Sequence, residues 1–200
     1  TQENLARAIN TVARVANTRG TLPILSNVLL RTESNRLSIA ATNLDIAITH
    51  YVGSKIQETG AITVPAKLMQ EFVSSLPPSV LKLELSENKL NITTDQYKST
   101  INGVGADDFP EMPAISEGRS LTMAAQAFKK ALQQVVFAAS NDDARPVLTG
   151  VYFHSLEGST MAVATDSYRL AEFKLGKNKT VINFLVPASA ASDLLRIIND

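Results

Sequence analysis

Apolar positions along this chain alternate between two periods, and the changes of period mark out its elements. From Leu5 they recur at helical spacing through Ala8, Ile9, Val12 and Val15 or Ala16, with Arg7, Asn10 and Arg14 off the stripe. That predicts an amphipathic helix over 3–16, closed by Asn17-Thr18-Arg19-Gly20, where glycine suits a C-cap or turn. The period then falls to two. Strands are expected at 28–32, 37–41 and 46–52, the last with Ile46, Ile48 and Tyr51 on its apolar side. A short strand at 61–64 leads into Pro65, whose missing N–H is tolerated at a helix start. The helix it opens sends Leu68, Met69, Phe72, Val73 and Leu76 inward and stops at Pro77-Pro78. Strands at 80–85, 90–93 and 97–104 follow.

Past an acidic, proline-rich connector from Ala106 to Pro113, the same succession begins again. It predicts a strand at 121–124, then a helix over 126–139 with Phe128, Leu132, Val135 and Val136 inward. Strands at 147–154, 160–164, 169–175 and 181–186 come next, and Pro187 opens a helix carrying Ala191, Leu194, Leu195 and Ile198. The repetition extends to individual residues. Ala164-Thr165-Asp166-Ser167-Tyr168-Arg169-Leu170 echoes Ala41-Thr42-Asn43-Leu44-Asp45 at an offset of 123 residues. Pro23, Leu25 and Val28 match Pro146, Leu148 and Val151, while Ala8, Val12 and Ala16 match Ala131, Val135 and Ala139. So long a period is domain duplication and not a solenoid of ~20–50-residue repeats. The fold class is α+β, built from βαβββ units used twice per domain. The expected domains are 1–112, without a first strand, and 113–200, without the three closing strands that would match 80–104. On this reading the chain is a fragment, and 5–76 should share its strand order with 128–198.

Composition narrows the function. Lys+Arg and Asp+Glu are equal at 19 each, so bulk charge does not hold the protein to nucleic acid or membrane. No apolar run approaches the ~20 residues of a membrane span, and the first residues lack a signal-peptide pattern. No cysteine is present, which excludes disulfides and thiol chemistry and fits a cytoplasmic setting. Catalysis finds little support. His50 and His154 fall on strands of different modules, without neighbours at ligand spacing. Asp107-Asp108 and Asp142-Asp143 lie in turn-like stretches, where carboxylates cap and turn. Gly103-Val104-Gly105 lacks the helix and Gly-Lys-Ser/Thr of a phosphate loop. Met123, Met161 and the phenylalanines read as core. Arg7 and Arg14, seven apart, share a helix face, and Lys129 and Lys130 lie off the stripe of the matching helix.

Thr21-Leu22-Pro23-Ile24-Leu25, the 41–45 and 164–170 stretches, Val64-Pro65-Ala66 and Asp108-Phe109-Pro110 occur in an order and spacing that resemble the bacterial DNA polymerase sliding clamp, the β subunit of the replicative polymerase. The resemblance covers the whole chain. It implies DNA-clamp domains, three per subunit, with helices facing a central hole and sheets outside, in a ring of two subunits joined head to tail. Such a ring encircles duplex DNA without reading its sequence, and it tethers polymerase subunits, clamp loader and repair proteins through their short hydrophobic motifs. It has no catalytic activity and no cofactor or metal. The resemblance assigns Leu148, Thr165, Ser167, Tyr168, Arg169 and Leu170, with Arg145 nearby, to the domain-two wall of the peptide pocket. Many members carry Gly-His where this chain has Ser167-Tyr168. It also assigns Arg19, Arg7, Arg14, Lys129 and Lys130 to DNA, and Leu76, Ser99 and Ile101 to the edge that pairs with a second subunit. Where some members have basic residues after the second Val-Pro, this chain has Ala188 and Ser189. The alternatives are a duplicated α+β protein-interaction module unrelated to DNA, and an enzyme whose active site lies outside these residues. A corner at Ser167-Tyr168 can present Tyr168 and Leu170 outward over a floor at Leu148, while the Arg169 guanidinium bonds a carbonyl or carboxylate.

Overall fold

A computed structural model describes residues 1–16, 22–112, 121–178 and 180–198. The chain divides into two compact units, Thr1–Ala114 and Ile115–Asp200. In unit 1 the helix α1 (Gln2–Val12) precedes three antiparallel strands, β1 (Asn27–Glu33), β2 (Arg36–Thr42) and β3 (Ala47–Gly53). Strand β4 (Ala61–Pro65) then pairs with β1 and runs straight into α2 (Ala66–Ser75), giving a sheet of order β3-β2-β1-β4. A second sheet follows, β5 (Lys82–Ser86), β6 (Lys89–Thr93) and β7 (Lys98–Asn102), in sequence order. The Thr63–Val104 bridge ties its end to β4.

Alternation decides which side of each strand meets the helices. Val28, Leu30, Ile39, Ala41, Val52, Ile62 and Val64 are buried with Leu5, Ala8, Ile9 and Val12 of α1 and with Met69 and Val73 of α2. Leu90, Ile92 and Ile101 close the same core from the second sheet. Two polar contacts join the helices: Gln2 Nε2 donates to the Val73 carbonyl at 2.7 Å, and Gln70 Nε2 to Asn10 Oδ1 at 2.9 Å. On the other face of the sheet Leu29 and Ala40 are buried under Phe109.

Unit 2 repeats the plan. Helix α3 (Ala125–Val135) is followed by β8 (Gly150–Leu156), β9 (Ser159–Thr165), β10 (Leu170–Lys177), β11 (Asn183–Pro187) and α4 (Ala188–Ile197). The strand order is β10-β9-β8-β11, the counterpart of β3-β2-β1-β4, as the 123-residue offset predicts. Its core holds Ala131, Leu132, Val135, Val151, Phe153, Ala162 and Ala191.

Several expectations shift. Helix α1 stops at Val12 and residues 13–15 form a turn, so Arg14 shares no helix face with Arg7; Val15 is still buried. Residues 121–124 form no strand. The helix expected to reach Ala139 ends at Val135 and tightens into a 3-10 turn, Val136–Ala138. Leu148 does not begin a strand: it lies in a 3-10 turn, Pro146–Leu148, two residues before β8. Strand β5 begins at Lys82 and not at Val80, because a strand is defined by its ladder, and the ladder starts at Lys82–Thr93. Pro65 ends β4 and precedes the first helical residue instead of supplying it. Leu68 and Tyr51 point to solvent, since Met69 and Val52 occupy the inward positions. Phe137 and Phe184 are exposed and so are not core.

Candidate functional site

The site begins with a turn whose chemistry is local. Strand β9 ends at Thr165 and β10 starts at Leu170, leaving Asp166 to Arg169 to reverse the chain. Thr165 Oγ1 donates to the Arg169 carbonyl at 2.7 Å and accepts from the Ser167 N–H at 3.2 Å. Asp166 Oδ1 accepts from the N–H groups of Tyr168 and Arg169 at 3.0 and 2.9 Å. Short polar side chains that bond backbone two and three residues on are the standard means of fixing such turns. Ser167 takes the left-handed conformation, φ 78°.

The turn between β2 and β3 is the same object. Thr42 Oγ1 donates to the Ile46 carbonyl at 2.8 Å and accepts from Leu44 N–H at 3.0 Å. Asn43 Oδ1 accepts from Asp45 and Ile46 at 3.0 and 2.8 Å, and Leu44 also has φ 78°. Thr165 and Asp166 therefore hold the turn as Thr42 and Asn43 do in the first copy, and the difference between the copies lies in what the frame displays.

In unit 2 it displays Tyr168, 95% exposed, and Leu170, 66% exposed. Arg145 Nη1 donates to Ser167 Oγ at 3.0 Å, which joins the turn to the segment holding Val147 and half-buried Leu148. The Leu148 carbonyl in turn accepts from Ser140 N–H at 2.9 Å. Arg169 Nε meets Asp166 Oδ2 at 2.9 Å, where either a carbonyl or a carboxylate is expected, and its guanidinium carbon stands 5.6 Å from the centroid of exposed Phe137. The Arg169 and Tyr168 N–H groups hold the Asp166 carboxyl below the usual carboxylate range, with the guanidinium adding to the effect. Thr165, Ser167, Tyr168, Arg169 and Leu170 thus share one turn, and Arg145, three residues before Leu148, is bonded to it through Ser167.

Exposed Phe137, beside Arg169, and Val147, 71% exposed between Arg145 and Leu148, add apolar area that the sequence does not single out. The alternating pattern puts Val147 on a strand and the helical pattern puts Phe137 on α3, but both lie in 3-10 turns. The repeat carried a usable signal, since position 137 corresponds to Arg14, an exposed residue of the first copy.

The basic candidates distribute differently. Arg7 and Lys130 are exposed and Lys129 is half-buried. Lys67 pairs with Glu71 at 3.9 Å and Arg196 with Asp193 at 3.5 Å, so α2 and α4 offset their own charges. Helix α3 contains two lysines and no acid, which makes it the positive one. Arg14 lies in the turn after α1, where its Nε donates to the Asn10 carbonyl at 3.3 Å. Arg19 lies outside the described residues. Of the residues assigned to subunit pairing, Leu76 and Ile101 are buried inside unit 1 and Ser99 is half-buried, so the edge of β7 offers backbone more than side chain. Asp142 has a turn role: its Oδ1 accepts from Ala144 N–H at 3.0 Å. Among the described residues, no three His, Asp or Glu side chains gather where a metal could be held, and no helix is long and apolar enough to cross a membrane.

The family model for the DNA polymerase III beta subunit, N-terminal domain, matches residues 1–113, and that for its central domain matches 122–200. The beta sliding clamp of Synechococcus elongatus is 32% identical over 204 residues, which cover 98% of this chain and 54% of that protein. The crystal structure of the Bacillus subtilis sliding clamp superposes with a TM-score of 0.92 at 26% identity, covering 100% of this chain and 56% of that one. The Bartonella birtlesii sliding clamp bound to griselimycin gives 0.90 at 30% identity, covering 98% and 55%. The chain spans about half the length of the curated relatives it matches.

Proposed function

The chain belongs to the DNA polymerase III beta subunit family, the sliding clamps, and from that premise we propose that unit 2 carries one wall of a docking site for short hydrophobic motifs of replication and repair proteins, in a subunit of a ring that encircles duplex DNA. The reading of an interaction module unrelated to DNA has no support from the relatives. The protein acts by tethering. It lends processivity to a polymerase, makes and breaks no bonds itself, and works in the cytoplasm.

The observation that carries this reading is the contrast between the two turns. One hydrogen-bonded frame occurs twice, and among the described residues only the second, which exposes Tyr168 and Leu170, is tied by an arginine, Arg145 to Ser167, to the segment carrying Val147 and Leu148. An exposed group of apolar side chains rimmed by arginines is the usual form of a peptide-docking surface. Arg145 and Arg169 present guanidinium donors to the carbonyls of an extended segment, and the apolar side chains receive its leucine or phenylalanine.

DNA would contact the helices. Lys129 and Lys130 on α3, with Arg7 on α1 and Arg14 just beyond it, supply modest positive charge. Modest charge suits a ring, since each neutralised phosphate strengthens holding at one place and slows sliding. In the whole protein, pairing with a second subunit would use the β7 edge near Ser99, Ile101 and Leu76.

The experiment is a chemical-shift titration of the chain with griselimycin, which a related sliding clamp binds. Shifts concentrated at Arg145–Leu148 and Thr165–Leu170 are expected. Shifts confined to unit 1 would remove the site from unit 2.

A further inference from the structure

Unit 1 has a cavity that the docking surface does not use. It lies on the outer face of the four-stranded sheet, the face turned away from α1 and α2, and holds about 330 Å³. That is the lower end of the ~300–1,000 Å³ typical of small-molecule sites.

Strand register gives the cavity two distinct floors. Leu29, Ala40 and Thr49 lie side by side across β1, β2 and β3. Two residues further along, Arg31, Ser38 and Tyr51 form the next row. A step of two residues is about 7 Å. Phe109 packs on Leu29 and Ala40, and Met112 joins that cluster, so the first row is apolar and roofed on one side. The second row is polar, with a guanidinium, a buried serine and a phenol. Arg36 already covers one face of the Tyr51 ring, with its guanidinium carbon 3.9 Å from the centroid.

The charges at the rim are not equivalent. Glu33 is engaged by Arg36 at 3.4 Å. Glu111 also lines the cavity and is exposed on the connector between Phe109 and Met112. No side-chain hydrogen bond or ion pair engages Arg31 among the described residues, although it lines a cavity with hydroxyl donors beside it.

We propose that this cavity binds a small organic monocarboxylate with an aromatic or branched apolar body, its carboxylate on Arg31 and Ser38 and its body between Leu29, Ala40, Phe109 and Met112. The spacing of the two rows sets the shape: a carboxylate about 5–7 Å from the centre of the apolar group. An acylated aromatic amino acid has that shape. The cavity shares no residue with the Arg145–Leu170 surface, so the proposal stands or falls apart from that reading.

The test uses the full chain and N-acetyl-phenylalanine, with its neutral N-methylamide as control, in a two-dimensional NMR titration. The acid should bind with Kd of about 1 mM and shift the amides of Arg31, Ser38, Ala40 and Tyr51. The amide should bind at least fivefold more weakly. Arg31 is exposed, so Arg31→Gln should fold normally, abolish the preference for the acid and leave the amide's affinity unchanged. Three results would each overturn the proposal: no binding of the acid at 20 times that concentration (about 20 mM), equal affinity for acid and amide, or an acid preference that survives Arg31→Gln. Shifts confined to unit 2 would overturn it as well, by assigning the ligand elsewhere.

Discussion

If the second turn is a docking surface, truncating the side chains it displays should weaken binding in proportion to the area a ligand can cover. Full burial of a large apolar side chain is worth ~1.5–3 kcal/mol. Tyr168 is 95% exposed, so nearly all of that is available, and Tyr168→Ala should weaken griselimycin binding by about 10–150-fold. Leu170 already has a third of its surface covered, which leaves about 1–2 kcal/mol and a loss of about 5–30-fold for Leu170→Ala. The protein supplies its own control. Leu44 sits at the Ser167 position of the first turn, is 61% exposed and shares the φ of 78°, so Leu44→Ala removes similar apolar area from the same frame. It should leave affinity within twofold. All four proteins can be titrated by calorimetry or chemical shift and compared as ratios of Kd. Tyr168 and Leu170 are two residues apart, so the double variant should lose less than the product of the single losses. Wild-type affinity insensitive to both unit-2 truncations would refute the reasoning, as would an equal loss with Leu44→Ala. Undetectable wild-type binding would show that this wall cannot hold the ligand by itself.

The lowered Asp166 titration gives a pH signature with a definite sign. Its folded value lies below the unfolded one, so the turn's stabilisation is complete above the ordinary carboxylate range and is lost as pH falls through the lowered value. The Tyr168 and Arg169 amide signals should report that loss, and Asp166→Asn, which reproduces the acceptor Asn43 provides in the first copy, should remove it from the profile. Gly103→Ala should destabilise unit 1 by ~1–3 kcal/mol in a denaturant melt, because a Cβ there would stand 2.5 Å from the Thr63 carbonyl oxygen and 2.6 Å from Ile62 Cδ1, where β7 is bridged to β4. An unchanged midpoint would mean that the junction relaxes without cost. Replacing Lys129 and Lys130 by Gln should flatten the salt dependence of DNA binding by up to ~2 in log–log slope, and an unaltered slope would take α3 off the DNA.

The parts legible in the sequence are those whose causes are local. The 3.6 and 2.0 periods mark α1 to α4 and all of the ladder strands, because each element buries one stripe or one face. The offset of 123 residues gives the two matching strand orders, since equal patterns fold to equal topologies. The turns at 42–46 and 165–169 are encoded almost completely, because the hydroxyl and the acceptor that fix them bond N–H and C=O groups within four residues. Only the tertiary structure decides which surfaces remain uncovered. Arg145 and Ser167 are 22 residues apart and meet because β8 and β9 are neighbours and a 3-10 turn sets the start of β8 back to Gly150. Phe137 lies in the 3-10 turn after α3, and only the fold brings its exposed ring beside Arg169 of the β9–β10 turn. Tyr51 and Val52 both fit an alternating strand, and it is the register of β2 against β3 that puts Val52 in the core and Tyr51 beside Arg31 and Ser38. Exposure depends on what packs from elsewhere in the chain, and a pattern read along one segment carries no record of its neighbours.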